Sequence, residues 1–345
     1  MDNNKYSFEE LYEQLYNQHF KELEKLREES KSKISKYFPW FGMILAGFGA
    51  IGICSELGVP EESYIYWVLF GIMILGFLGV MIVFGKGITQ WTKQYNILDE
   101  KGNINNVNLK VGMKDSQTYK YTFKEKIIKP IVECAVPGCT YTAGTGLSEQ
   151  EFYRVWEKAD RFSSEDEIIM NLDVKDSENN NLQLIISEVL TQNEEHSENG
   201  GTTCTTMFHG LAGYTKLPKN IGAYIKILEN EMFFKNNSKD YVEMDMKDFE
   251  KIFDVETNDK IKAVQVLTSD VMAELVNIVK ELKVEFEIYI NYNILHIRFD
   301  TGDMFEPQIF GKSMQLEKLK RYYDIVQAVK HVTEKICTVI NETEI

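Results

Sequence analysis

The run YFPWFGMILAGFGAIGICS, residues 37–55, and its companion SYIYWVLFGIMILGFLGVMIVFG, residues 63–85, decide how this chain is organised. Neither contains an Asp, Glu, Lys, Arg or His over its 19 or 23 residues. At about 1.5 Å of rise per residue, each is long enough to cross roughly 30 Å of hydrocarbon as a helix. Lipid offers backbone groups no hydrogen-bond partners, so runs of this kind are helical. Two buried core helices in tandem are the alternative, but core helices are rarely uncharged over their whole length. The reading is a two-helix transmembrane hairpin, preceded by a charged arm (1–36) and followed by a long soluble domain (86–345).

Aromatic residues stand at the ends of the runs as an interfacial belt: Tyr37, Phe38, Trp40 and Phe41, then Tyr64, Tyr66 and Trp67, then Phe84 and Trp91. Lys25, Arg27, Lys31, Lys33 and Lys36 precede the first run and Lys86 and Lys93 follow the second, whereas Glu56–Glu62 between them holds three glutamates and no basic residue. The basic flanks stay inside, so a multi-pass protein of the cell membrane with both termini cytoplasmic is expected. Small residues at Gly42, Ala46 and Ala50, and at Gly71, Gly76 and Gly79, permit close helix approach, either within the hairpin or between two copies. Transport paths need ionisable groups inside the spans, and there are none, so the hairpin reads as an anchor in the bilayer.

The remainder of the chain is acidic. Lys86–Ile345 carries 31 basic and 42 acidic side chains. That excess argues against nucleic acid as a partner, because such binding runs on neutralising phosphate. The five cysteines, Cys54, Cys134, Cys139, Cys204 and Cys337, include no second pair spaced like Cys134 and Cys139, so no four-ligand zinc site is read and reduced thiols are expected. The first apolar run begins behind a long charged arm, unlike a cleavable secretory signal.

In chain order, Phe8, Leu11, Tyr12, Leu15, Tyr16, Phe20, Leu23 and Leu26 mark the arm as an amphipathic, coiled-coil-like helix. Its stripe must cover itself with the soluble domain, another copy or a partner. A polar loop is expected at Asn103–Asn108 and a helix over Thr118–Cys134, bent by Pro130. Ser148 and Glu151 form a capping box opening a short helix through Phe152, Val155 and Trp156. Ile168–Val174, Leu182–Leu190, Thr202–Leu211 and Ala223–Leu228 read as strands, with an exposed loop at Glu194–Asn199 and a tight turn at Gly200–Gly201. A helical turn at Phe249–Phe253, a strand at Ile261–Leu267, a helix at Val271–Leu282, a hairpin of Val284–Ile290 with Ile294–Phe299, and a final helix at Leu316–Ile340 complete the pattern. Strands in runs with helices at the ends give an α+β class with a mainly antiparallel sheet.

Four stretches, in order, carry a resemblance: Phe123-Lys-Glu-Lys-Ile-Ile-Lys-Pro130; Gly146-Leu-Ser-Glu-Gln-Glu-Phe152; Met207-Phe-His-Gly-Leu211; and Phe249-Glu-Lys-Ile-Phe253, followed by Leu267-Thr-Ser-Asp-Val-Met272 and Phe305-Glu-Pro307. The soluble part resembles the bacterial family known as domain of unknown function 3137. The resemblance implies a two-span hairpin near the N-terminus with a cytoplasmic domain after it, and it carries no established activity over to these residues.

Candidate chemistry is sparse. Asp300-Thr-Gly302 follows a strand as the catalytic loop of an aspartic protease does, but Asp303 stands where a small residue is needed and no second copy exists to share a proton. Gly311-Lys-Ser313 lacks the upstream glycine of a phosphate loop, Glu306 standing there instead. The five histidines show no metal-ligand spacing, and no Gly-x-Ser-x-Gly elbow exists. His209, Asp300, Asp303 and Glu306 are therefore the site candidates, with no cofactor expected. The functional expectation is a non-enzymatic scaffold or sensor module that binds a protein partner, a ligand or itself. The alternative is a membrane-tethered hydrolase.

Overall fold

A computed structural model describes residues 7–35, 38–56, 63–94, 118–196, 202–230, 239–308 and 312–343. The expected loop at Asn103–Asn108, the turn at Gly200–Gly201 and most of the link between the apolar runs lie outside these residues. So do Tyr37, Gly311 and the side chains of Phe38, Phe41, Phe84 and Trp91. The chain divides into two compact units, one of Met1–Asn17, Lys124–Glu306 and Met314–Ile345, the other of Gln18–Phe123 with Pro307–Ser313.

The second unit holds the apolar pair. After α1 (Phe8–Ser35), which spans both units, come α2 (Phe38–Glu56) and α3 (Tyr64–Gln94). The two pack on each other, and the contact runs through Gly47, Gly76 and Gly79. A Cβ on Gly79 would lie 2.0 Å from the Trp40 ring, and one on Gly76 would lie 2.8 Å from Ile44. Of the small residues expected to form the seam, Gly42 faces open space and Ala46 is exposed; Gly47, one helical step away, takes their part. The outward faces carry Leu45, Phe48, Ile53, Trp67, Phe70, Leu75 and Phe77, all more than half exposed. Among the described residues one segment, Tyr64–Ile82, is long and apolar enough to cross a membrane, and the apolar part of α2, Gly42–Glu56, is shorter.

The first unit is an α+β fold on a nine-stranded sheet. Its strands are β1 (Thr140–Thr142), β2 (Arg161–Lys175), β3 (Asn181–His196), β4 (Thr202–Lys216), β5 (Tyr224–Glu229), β6 (Tyr241–Val242), β7 (Phe253–Thr257), β8 (Glu285–Asn291) and β9 (Ile294–Asp300). Their order is β1-β2-β3-β4-β9-β8-β5-β7-β6, every neighbouring pair antiparallel. Period-2 alternation decides which face each strand buries. Ile225 and Ile227 of β5, Phe286, Ile288 and Ile290 of β8, and Leu295, Ile297 and Phe299 of β9 are all buried, with Phe286 stacked on Phe299 at 4.6 Å. At about 25 cal/mol per Å² of apolar surface, each such side chain contributes roughly 1.5–3 kcal/mol.

The helices of this unit follow from local sequence. Pro130 has no N–H to give to the carbonyl of residue 126, and the turn before it is π-helical. The helix runs as α4 (Thr118–Phe123, counted in the other unit), a π-helical segment Lys124–Ile128, and α5 (Lys129–Ala135). Ser148 accepts from the Glu151 N–H at 3.2 Å and starts α6 (Glu149–Phe152); Val155 and Trp156 lie beyond its end. Then come α7 (Lys247–Glu250), α8 (Lys260–Val266), α9 (Ser269–Leu282, capped by Thr268) and α10 (Leu316–Glu342). The expected strand at Ile261–Leu267 is thus a helix. Asp259 caps it by accepting from the N–H groups of Ile261 and Lys262, and of the β-branched residues that suggested a strand Ile261 and Val264 are exposed while Val266 is buried. Glu194–His196, expected in a loop, extends β3. In α10, Leu319, Tyr322, Val326, Val329, Thr333, Ile336 and Ile340 make a buried stripe. The start of α1 packs on α10, with the Phe8 ring 5.2 Å from Tyr323, so this part of the arm covers its apolar stripe within its own chain.

Candidate functional site

The interior of the α+β unit holds charge. Lys124, at the start of the π segment, is 2% exposed, and an ammonium so placed must be paired. It is paired three times: to Asp166, to Glu306 at 2.5 Å and to Glu165 at 3.3 Å. Asp166 reaches it through a bulge in β2, where the register to β3 shifts between Glu165 and Ile168 and Asp166 takes a left-handed backbone, φ 60°. A bulge re-aims a side chain that regular pleating would send elsewhere. The fully buried Asp166 carboxylate also accepts from the Tyr141 hydroxyl at 2.7 Å. Burial raises the Asp166 carboxyl above the usual carboxylate range although Lys124 opposes it. Lys124 is desolvated too, but Asp166 and Glu306 outweigh that and hold it charged.

A second cluster adjoins the first, since Glu165 on β2 lies opposite Glu188 on β3. Glu188 is 5% exposed. Its Oε1 accepts from the Met304 N–H at 3.0 Å and lies 3.3 Å from His209 Nε2, while its Oε2 is buried with no hydrogen-bond partner among the described residues. Burial, with smaller contributions from Asp166 and Asp303, pushes this carboxyl up to about 9, so it is protonated at neutral pH.

The loop after β9 feeds both clusters. Gly302, at φ 66°, donates its N–H to the His209 carbonyl at 2.9 Å. Phe305 is also left-handed, φ 58°, and its ring is fully buried between Tyr141 and Tyr322. A non-glycine residue held there costs of order 1–3 kcal/mol, and the two aromatic contacts hold it. The loop is able to approach β4 because residue 210 is Gly: a Cβ there would lie 2.0 Å from the Phe299 carbonyl. As a result Asp303 joins Glu188 and His209, and Glu306 joins Glu165 and Asp166; each triad has candidate ligand atoms within 4.8 Å of one another.

Of the four candidates from sequence, His209 and Asp303 join one triad and Glu306 joins the other. Asp300 joins neither; it is exposed at the end of β9 opposite Glu285. Sequence reasoning missed Lys124, Tyr141, Glu165, Asp166 and Glu188. Glu188 did leave a signal, because Leu182, Leu184 and Ile186 alternate onto the buried face and the next position in phase is a carboxylate. Two cavities lie away from these carboxylates. One, of about 630 Å³, runs between α9 and α10 past Glu274, Glu281 and Glu334. The other, of about 330 Å³, lies over Trp156, Phe208, Tyr289 and Arg298, with the Arg298 guanidinium 4.4 Å from the Trp156 ring. Among the described residues no cysteine is in a disulfide.

Fold and site define an α+β domain with a charged, largely self-neutralised interior, in a chain that also carries an apolar helix pair. Residues 206–337 match the family described as "Protein of unknown function (DUF3137)", which confirms over that segment the resemblance read from the sequence. The match contains His209, Asp303 and Glu306, whereas Lys124, Asp166 and Glu188 precede it. No curated protein and no solved structure matches the chain.

Proposed function

We propose that this protein is a membrane-anchored binding module, a scaffold or sensor without catalytic activity, whose hairpin of α2 and α3 spans the bilayer with both termini in the cytoplasm. One observation carries the reading. Of the large apolar side chains exposed among the described residues, thirteen of nineteen lie on α2 and α3, outside the glycine seam that joins them. Water solvates such a surface poorly and hydrocarbon does not, so the pair is suited to lipid. The Lys124 cluster offers no free group for catalysis, because its cation and carboxylates satisfy one another. A hydrolase is the second reading, favoured by a single feature, the protonated Glu188 beside His209.

The test is labelling of intact cells with a membrane-impermeant maleimide. Gly58→Cys, between the spans, is expected to label from outside. The exposed native Cys204 is expected to label only after permeabilisation. Labelling of Cys204 in intact cells would reverse the topology. Cross-linking in the native membrane then separates the functional readings: a reproducible protein partner supports the module, and turnover of a substrate without any partner refutes it.

A further inference from the structure

We propose that Glu188, His209 and Asp303 bind a divalent first-row transition cation. The inference deepens the binding-module reading by naming a ligand, and rests on that reading only for the use made of the cation. Two ligand atoms on one ion, with bonds of about 2.0–2.2 Å, sit roughly 3.0–3.5 Å apart. His209 Nε2 and Glu188 Oε1 are 3.3 Å apart, and the Asp303 carboxylate lies with them inside 4.8 Å.

The independent sign of a ligand is Glu188 Oε2, buried in a side chain that is 5% exposed, with no hydrogen-bond partner among the described residues. A native interior satisfies its polar atoms, so an orphan buried oxygen on one of the three clustered residues marks a place where something binds. The first oxygen is held by the Met304 N–H, so the carboxylate is oriented before any ion arrives. His209 is about a third exposed and Asp303 is exposed, which provides an entry path and leaves coordination positions open to water.

The donor set chooses the metal class. One imidazole and two carboxylates suit Mn²⁺, Fe²⁺, Co²⁺ or Zn²⁺ better than Ca²⁺ or Mg²⁺, which prefer oxygen alone. Glu188 gives up its proton to solvent as the ion binds, and the two carboxylates then balance a divalent charge. The neighbouring triad, Glu165, Asp166 and Glu306, is not a second site, because the Lys124 ammonium already lies against all three carboxylates.

The full chain in detergent, stripped with a chelator and dialysed, is titrated with Mn²⁺, and the loss of the free-ion paramagnetic resonance signal is followed. Mn²⁺ is the probe because the exposed Cys204 thiolate competes for Zn²⁺ but not for a harder ion. The expected result is about one ion per chain, with affinity falling at least tenfold in His209→Ala and in Glu188→Gln. Asp303→Asn is expected to fall likewise, and Asp300→Asn, outside the cluster, to leave binding unchanged. Circular dichroism confirms the fold of each variant, and should Glu188→Gln misfold, His209→Ala and Asp303→Asn carry the test. No binding below millimolar Mn²⁺ overturns the proposal, as does binding that survives both of those variants. Neither result bears on the maleimide topology or the partner search, so failure here is separable from failure of the anchored-module reading.

Discussion

Replacing Glu188 by Gln isolates the effect of one buried proton. The carboxyl is pushed up to about 9 by burial in the fold, against about 4.3 in an unfolded chain. Between those values the folded protein keeps a proton that the unfolded chain has released, so stability falls as pH rises. One proton is worth about 1.4 kcal/mol per pH unit, so from pH 6 to pH 8.5 the wild type loses on the order of 3 kcal/mol through this group. Gln has the same shape and does not titrate. All other groups being common to both proteins, the gap in melting temperature between Glu188→Gln and wild type is expected to widen over that range. At roughly 2–4 °C per kcal/mol the widening is about 6–12 °C in favour of the variant. The assay is thermal unfolding in detergent with a chelator present throughout. Parallel curves, with a constant gap from pH 6 to pH 8.5, would show that Glu188 is ionised in the fold and would refute the reasoning.

Three further outcomes follow from the packing. Lys124→Met leaves the Asp166 carboxylate buried without its cation and is expected to cost about 3–5 kcal/mol in the same melts, with Lys124→Met/Asp166→Asn recovering part of the loss; a single-variant cost below about 1 kcal/mol would contradict the pairing. Gly210→Ala forces a methyl group against the Phe299 carbonyl and is expected to destabilise by about 1–3 kcal/mol, whereas a neutral result would mean that the loop after β9 is free to retreat. An Ile44→Cys/Gly76→Cys pair is expected to cross-link α2 to α3 on oxidation, and adding Gly79→Val, which drives a side chain into Trp40, is expected to reduce that yield severalfold; an unchanged yield would place the helix contact elsewhere.

Much of this architecture is readable from composition and period. The uncharged runs, the β8–β9 hairpin, the helix expected at Val271–Leu282 and the long last helix each follow from a local rule and each forms, although α3 runs on to Gln94, nine residues past its apolar run. Ile261–Leu267 shows where local rules compete. Its β-branched residues favour a strand, while the Asp259 cap and the spacing of buried Ala263 and Val266 favour a helix, and packing decides for the helix. The site is legible only in part because its members are far apart in sequence and meet through backbone features that no pattern announces. Asp166 depends on a bulge inside a run of Ser, Glu and Asp, and Lys124 on a π-helical segment. Asp303 and Glu306 are legible because they follow the Asp300-Thr-Gly302 stretch at a strand end, and His209 because it is a histidine inside an expected strand.

The four residues from Asp303 to Glu306 have one more property, which is lack of slack. A chain of that length spans at most about 14 Å, and this one is tied by the Gly302 and Met304 N–H groups and by the Phe305 ring. Asp303 at one end and Glu306 at the other serve different triads. Substitutions in the two triads should therefore be epistatic: their effects in combination should depart from the sum of their effects alone, even where the side chains do not touch.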